Sequence, residues 1–164
     1  MWSSAPAGWN KPTTPVAIAL GSNLGDREAA LAFAVTRLGN LLSNLRRSPW
    51  FDTAPVGVGD QPRFLNGAVV GETALDARAL LQRLLAIERE GGRHRPWAGA
   101  PRTLDLDLIL YGQAVIDEPG LVVPHPRFRD RLFVLEPLAA LAEDWVDSVT
   151  GAAVSALLRS ARGA

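Results

Sequence analysis

Leu104-Asp105-Leu106-Asp107-Leu108-Ile109-Leu110 is the stretch that decides how this chain is read. Side chains alternate across a strand. Asp105 and Asp107 therefore share one face, and Leu104, Leu106, Leu108 and Leu110 share the other. The leucine face can bury against helices while the acids stay wet. Upstream, Val16 to Leu20 is a short apolar run ending at Gly21, which predicts a buried strand. Asp26 then caps a helix whose apolar residues are Ala30, Leu31, Ala34, Val35 and Leu38. Leu45 to Thr53 predicts a second strand, interrupted at Pro49, and Phe64 to Thr73 a third. Between them, residues 53–62 hold two glycines and two prolines and read as a loop. Asp76 caps a second helix with a buried stripe of Leu80, Leu81, Leu84, Leu85 and Ile87, and Gly91-Gly92 stops it. Strand, helix, two strands, helix, strand is the order of a ferredoxin-like α+β sandwich. After Gly112 the pattern predicts short elements broken by Pro119, Pro124, Pro126 and Pro137, then a last helix over 152–158.

Composition bounds the rest. The 164 residues suit one domain, read as 16–160, behind a poorly ordered extension, 1–15, rich in Pro, Ser, Ala and Gly. Seventeen basic residues balance seventeen acidic ones, so nothing predicts a polyanion-binding surface. Neutrality and the acidic strand argue against nucleic-acid binding. There is no cysteine, which excludes disulfides and thiolate metal sites and suits a cytoplasmic protein. No apolar run approaches the ~20 residues of a membrane span.

Two acids on one strand face lie about 7 Å apart at Cβ, from a rise of about 3.3 Å per residue. Both can reach one metal ion, or bracket two ions about 3.5–4 Å apart. Oxygen donors without cysteine favour Mg²⁺, which completes its shell with water and substrate phosphates. Two acids on a strand are more often only a solvated face. Arg93, Arg95 and Arg102 in the preceding loop turn the balance, because guanidinium groups beside metal-binding carboxylates make a polyphosphate site. Gly21 to Asp26 lacks the G-x-G-x-x-G spacing and a Walker lysine, so it is assigned no phosphate.

Four segments, in order, resemble the 6-hydroxymethyl-7,8-dihydropterin pyrophosphokinase family. They are Ala19 to Asp26, Asp60 to Asn66, Pro101 to Asp107, and Val123 to Arg127 with Arg131 and Phe133. The resemblance runs from about Val16 to Leu158. It implies an α/β/α sandwich and transfer of pyrophosphate from ATP to a hydroxymethyl-dihydropterin, releasing AMP. It implies that Asp105 and Asp107 hold two Mg²⁺ ions, and that Arg93 and Arg102 act catalytically on the phosphates. It places Glu88, Arg95, His125 and Arg131 on the nucleotide side. On the pterin side it places Thr53, Ala54, Pro55, Val56, Gly57, Phe64, Asn66 and Phe133. A small-molecule enzyme of this kind is expected to be a monomer without nucleic-acid or membrane partners. From the residues alone, His125 is equally a packed loop residue, and Phe64 and Phe133 are equally core.

The chain departs from the family at Ala98-Gly99-Ala100, where Arg-Trp-Gly is usual. The expected result is an active enzyme with altered nucleotide affinity or rate. The competing class is a non-catalytic ferredoxin-like binding module. Such a module needs no second carboxylate at the chemical step, so Asp105 and Asp107 separate the two.

Overall fold

A computed structural model describes residues 12–54, 62–92 and 104–163. Its elements are β1 (Thr14–Ser22), α1 (Arg27–Leu38), β2 (Ser43–Arg47), β3 (Phe51–Thr53), β4 (Phe64–Thr73) and α2 (Ala77–Gly91). Then follow β5 (Asp105–Tyr111), the hairpin β6 (Ile116–Glu118) and β7 (Leu121–Val123), α3 (Leu132–Ala142) and α4 (Val154–Gly163). The main sheet has the order β2-β4-β1-β5, with β3 also on β4, and every pairing is antiparallel. This is the ferredoxin-like arrangement.

The caps form as the sequence predicts. Asp26 accepts the Ala29 N–H at 3.0 Å and Asp76 accepts the Ala79 N–H at 2.7 Å, each satisfying an orphan donor of a first turn. Pro49 falls between β2 and β3, so the interrupted strand is two strands. β1 reaches two residues further at each end than the apolar run, and Thr14 and Pro15 belong to it rather than to an extension. The rest of the expected extension, residues 1–11, lies outside the described residues.

β1 is covered on both faces. Val16, Ile18 and Leu20 join Leu31, Leu38, Leu80 and Leu84 beneath α1 and α2. Ala17 and Ala19 join Phe128, Val134, Leu135 and Leu138 beneath α3 and α4. Small alanines on the second face let α3 lie close to the sheet. The result is three layers, helices–sheet–helices.

Three expectations are corrected. Leu85 does not share the buried stripe; it is 39% exposed, because it lies one step around the helix from Leu84. Leu110 does not share a face with Leu104, Leu106 and Leu108. Ile18 pairs with Leu108 and Ala17 with Leu110, so Ile109 is an extra residue, a β-bulge. Beyond it the parity flips, and both Ile109 and Leu110 enter the α3–α4 layer. Pro137 does not break the chain; it lies inside α3, where the buried apolar residues around it hold the helix. The last helix is also longer than read, ending at Gly163.

Candidate active site

Residues directly opposite in an antiparallel pair lie on one sheet face. The register puts Asn66, Gly21 and Asp105 side by side across β4, β1 and β5. Asp107 lies beside Ala19 and Phe64 beside Thr53 on β3. All of these line a cavity of about 890 Å³ where the α3 layer stops short of the sheet end. The apolar face of alanines thus gives way to a polar floor on the same strands.

Each side chain is held by its element. Asn66 is 5% exposed, and its Nδ2 donates to Thr53 Oγ1 at 2.5 Å. This leaves its Oδ1 on the side of Gly21, where a Cβ would come within 3.0 Å of it. Glycine there makes room for the amide. The far wall comes from the start of α3. The 3-10 turn Phe128–Asp130 is anchored by fully buried Phe128. Arg131 then opens α3, its guanidinium carbon 5.5 Å from the Phe133 ring centre. Phe133 is partly buried against the α3–α4 core and lines the cavity with Phe64 across from it. Neither ring is lost to the core.

The electrostatics divide the cavity. Asp105 and Asp107 occupy the β5 side, with Asp107 exposed. Arg127 and Arg131 stand on the opposing wall. At the mouth, Asp52 accepts from Arg63 Nε at 2.8 Å and from Arg27 at 3.2 Å. The hydrogen bond from Arg63, and then that from Arg27, hold its carboxyl below the ordinary range. His125 is not on the cavity wall, yet it is next to it. Its N–H donates to Ile109 O at 2.9 Å, and its Nδ1 accepts the Arg127 N–H at 3.1 Å. Burial lowers its pKa; the Asp107 charge opposes this, while Arg131 and Arg127 reinforce it. The ring is therefore neutral at pH 7.

The cavity brings together Thr53, Ala54, Phe64, Asn66, Asp105, Asp107, Arg131 and Phe133 from the sequence reading. It does not include Glu88, whose Oε2 accepts the Leu106 N–H at 2.7 Å on β5. Arg93, Arg95, Arg102, Pro55, Val56 and Gly57, and the changed Ala98-Gly99-Ala100, lie outside the described residues. Among the described residues no group of three or more His, Cys, Asp or Glu side chains converges. No helix among them is long and apolar enough to cross a membrane.

A family model described as 7,8-dihydro-6-hydroxymethylpterin-pyrophosphokinase matches residues 17–143. The chain belongs to this pyrophosphokinase family. It is 44% identical over 137 residues to the Bacillus subtilis 2-amino-4-hydroxy-6-hydroxymethyldihydropteridine pyrophosphokinase, covering 82% of each chain. It is 44% identical over 131 residues to the Pseudomonas aeruginosa protein of the same name, covering 79% of this chain and 81% of that one. A wild-type Plasmodium falciparum HPPK-DHPS crystal structure superposes with a TM-score of 0.75 at 12% identity. That likeness covers 91% of this chain but 45% of the Plasmodium one, and it establishes the fold.

Within this pyrophosphokinase, sequence reasoning missed Asp52, Arg63, Arg127 and Glu136 as cavity residues. Arg63 and Arg127 stood inside quoted motifs, and Asp52 stood next to Thr53, so proximity was the available signal. Glu136 was hidden because Pro137 argued against any helix there.

Proposed function

We infer that this chain transfers a pyrophosphoryl group from ATP to 6-hydroxymethyl-7,8-dihydropterin, with Asp105 and Asp107 as the metal-holding pair. The observation that carries the assignment is their place in one cavity with Asn66, Phe64 and Phe133. Two oxygen donors opening on a roomy cavity fit Mg²⁺, which fills its remaining positions with water and phosphate oxygens. Bound there, two such ions supply charge neutralisation for the polyphosphate.

The chain's own residues do the placing. Phe64 and Phe133 bracket a flat heterocycle. Asn66 offers Oδ1 and its second amide hydrogen to the pterin's polar edge, since one hydrogen is already given to Thr53. Arg131 faces the nucleotide phosphates across the cavity, Arg93, Arg95 and Arg102 supply further positive charge to them, and His125 is a neutral nucleotide-side neighbour. In this geometry the hydroxymethyl oxygen bonds to the β-phosphorus. The bond from that phosphorus to the oxygen bridging the α-phosphate breaks, AMP keeps that oxygen, and the hydroxyl proton is lost to solvent. Positioning and charge neutralisation suffice, without a covalent enzyme intermediate. The carboxylates belong to the chemical step rather than to binding alone.

The test is to mix the protein with ATP, Mg²⁺ and the hydroxymethyl-pterin and identify the nucleotide product. AMP in equal amount to pterin diphosphate is expected; ADP would overturn the reading. Asp105→Ala and Asp107→Ala should each lower kcat by about 10³-fold or more, as losing a main electrostatic group does, while retaining measurable ATP binding. Wild-type rates in both would leave a binding module as the better description.

A further inference from the structure

Glu88 has a task that its nucleotide-side assignment does not capture. β5 is the last strand of the sheet order, so its outward backbone groups meet no further strand among the described residues. Leu106, between the two acids, turns its N–H to Glu88 Oε2 at 2.7 Å. Its side chain is 3% exposed beneath α2. That N–H belongs to the peptide plane whose carbonyl is Asp105's. This plane carries the Asp105 Cα at one end and the Leu106 Cα at the other, so holding it orients the strand at the residue between the two acids.

A second contact lies one turn on. A Cβ on Gly91 would come within 2.9 Å of Leu104 Cδ2, so the end of α2 packs directly on the side chain of the residue that precedes β5. Glu88 and Gly91 are three residues apart and share a helix face. The last turn of α2 therefore meets this segment at two nearby points, by a side-chain carboxylate at Leu106 and by the Leu104 side chain packed on Gly91.

We propose that Glu88 is a positioning residue for the metal-holding pair, acting through the Leu106 peptide to aim Asp105 and Asp107 into the cavity. The metal aspect rests on the functional reading above; the backbone aspect stands without it. Hydrogen-bond partners behind a metal's ligands, when removed, lower metal affinity by about 10–100-fold.

The experiment compares full-length wild type, Glu88→Gln and Glu88→Ala. Amide hydrogen exchange at Leu106, read by NMR without metal, should speed up about tenfold or more in the alanine variant and change little in glutamine, which keeps an acceptor. Mg²⁺ titration in the presence of a non-hydrolysable ATP analogue should show about 10–100-fold weaker metal binding for alanine. KM for ATP at saturating Mg²⁺ should stay within about threefold of wild type. Unchanged Leu106 exchange together with a raised KM for ATP overturns the proposal in favour of direct nucleotide contact. If Glu88→Ala does not fold, Glu88→Gln and Gly91→Ala carry the test. Gly91→Ala should then weaken Mg²⁺ binding without raising KM for ATP, and the opposite pattern overturns the proposal. If wild type makes no AMP, the functional reading fails while the exchange result still decides the positioning role.

Discussion

Asn66 spends one of its amide hydrogens inside the protein, on Thr53 Oγ1, and that bond orients the rest of the amide in the cavity lining. Asn66→Ala should raise KM for the pterin by about tenfold or more, since a site built around hydrogen bonds loses affinity when one partner vanishes. KM for ATP should change little; isothermal titration with each substrate separates the two. Gly21→Ala is a subtler probe. Its new methyl would sit 3.0 Å from Asn66 Oδ1 and push the amide by a few tenths of an ångström. Pterin affinity should fall several-fold, and the melting temperature should stay within about 2 °C, because only one flexible amide has to give. These two residues were legible in different degrees. Asn66 was named from its motif, whereas the requirement at Gly21 follows from register and has no mark in the local sequence.

At the scale of elements, the link between α3 and α4 is held by Asp147, which is fully buried. It accepts from Arg129 at 2.5 and 3.0 Å, from Thr150 at 2.6 Å and from the Val149 N–H at 3.0 Å. Burial alone would raise its pKa; the Arg129 hydrogen bonds, followed by those from Thr150 and Val149, prevail and hold it at about 2. A depressed carboxylate stabilises the fold above its unfolded value and loses that contribution as pH falls through the folded value. Between about pH 4 and pH 2 this group should therefore cost the protein about 2 kcal/mol, at 1.36 kcal/mol per unit. Urea unfolding at pH 5 and pH 2.5 should show that loss in wild type and a flatter dependence in Asp147→Asn. Nothing in the sequence marked this network, because Arg129 and Asp147 are eighteen residues apart and meet only after folding. By contrast the two capped helices and the third strand read directly, since cap, periodicity and turn all pointed one way. The reading failed at α3, where tertiary burial outweighs the lone Pro137.

For the whole molecule, β1 serves two cores at once. Neither helical layer can separate from the sheet without uncovering that strand, so both should melt in one step. Trp50 packs in the α1–α2 layer and Trp145 in the α3–α4 layer. Fluorescence of Trp50→Phe and Trp145→Phe variants should give coincident urea midpoints with far-ultraviolet dichroism; midpoints separated by more than about 0.5 M would show independent layers. The order of elements was legible because each strand and helix carries its own pattern. The shape of the cavity was not, because its floor, wall and mouth come from segments far apart in sequence.

The surplus residue at Ile109 draws a waterline along β5. Before it the strand keeps a strict two-step rhythm, with leucine inward and carboxylate outward; at it two successive side chains, Ile109 and Leu110, sink into the same oily layer. Excising Ile109 would restore the rhythm throughout and leave the acids where they are. It would also remove the Ile109 carbonyl that accepts the His125 N–H, and draw the segment from 110 onward back by one place, leaving the far wall out of step with the floor. One inserted amino acid thus sets where the wet half of the strand ends and the dry half begins.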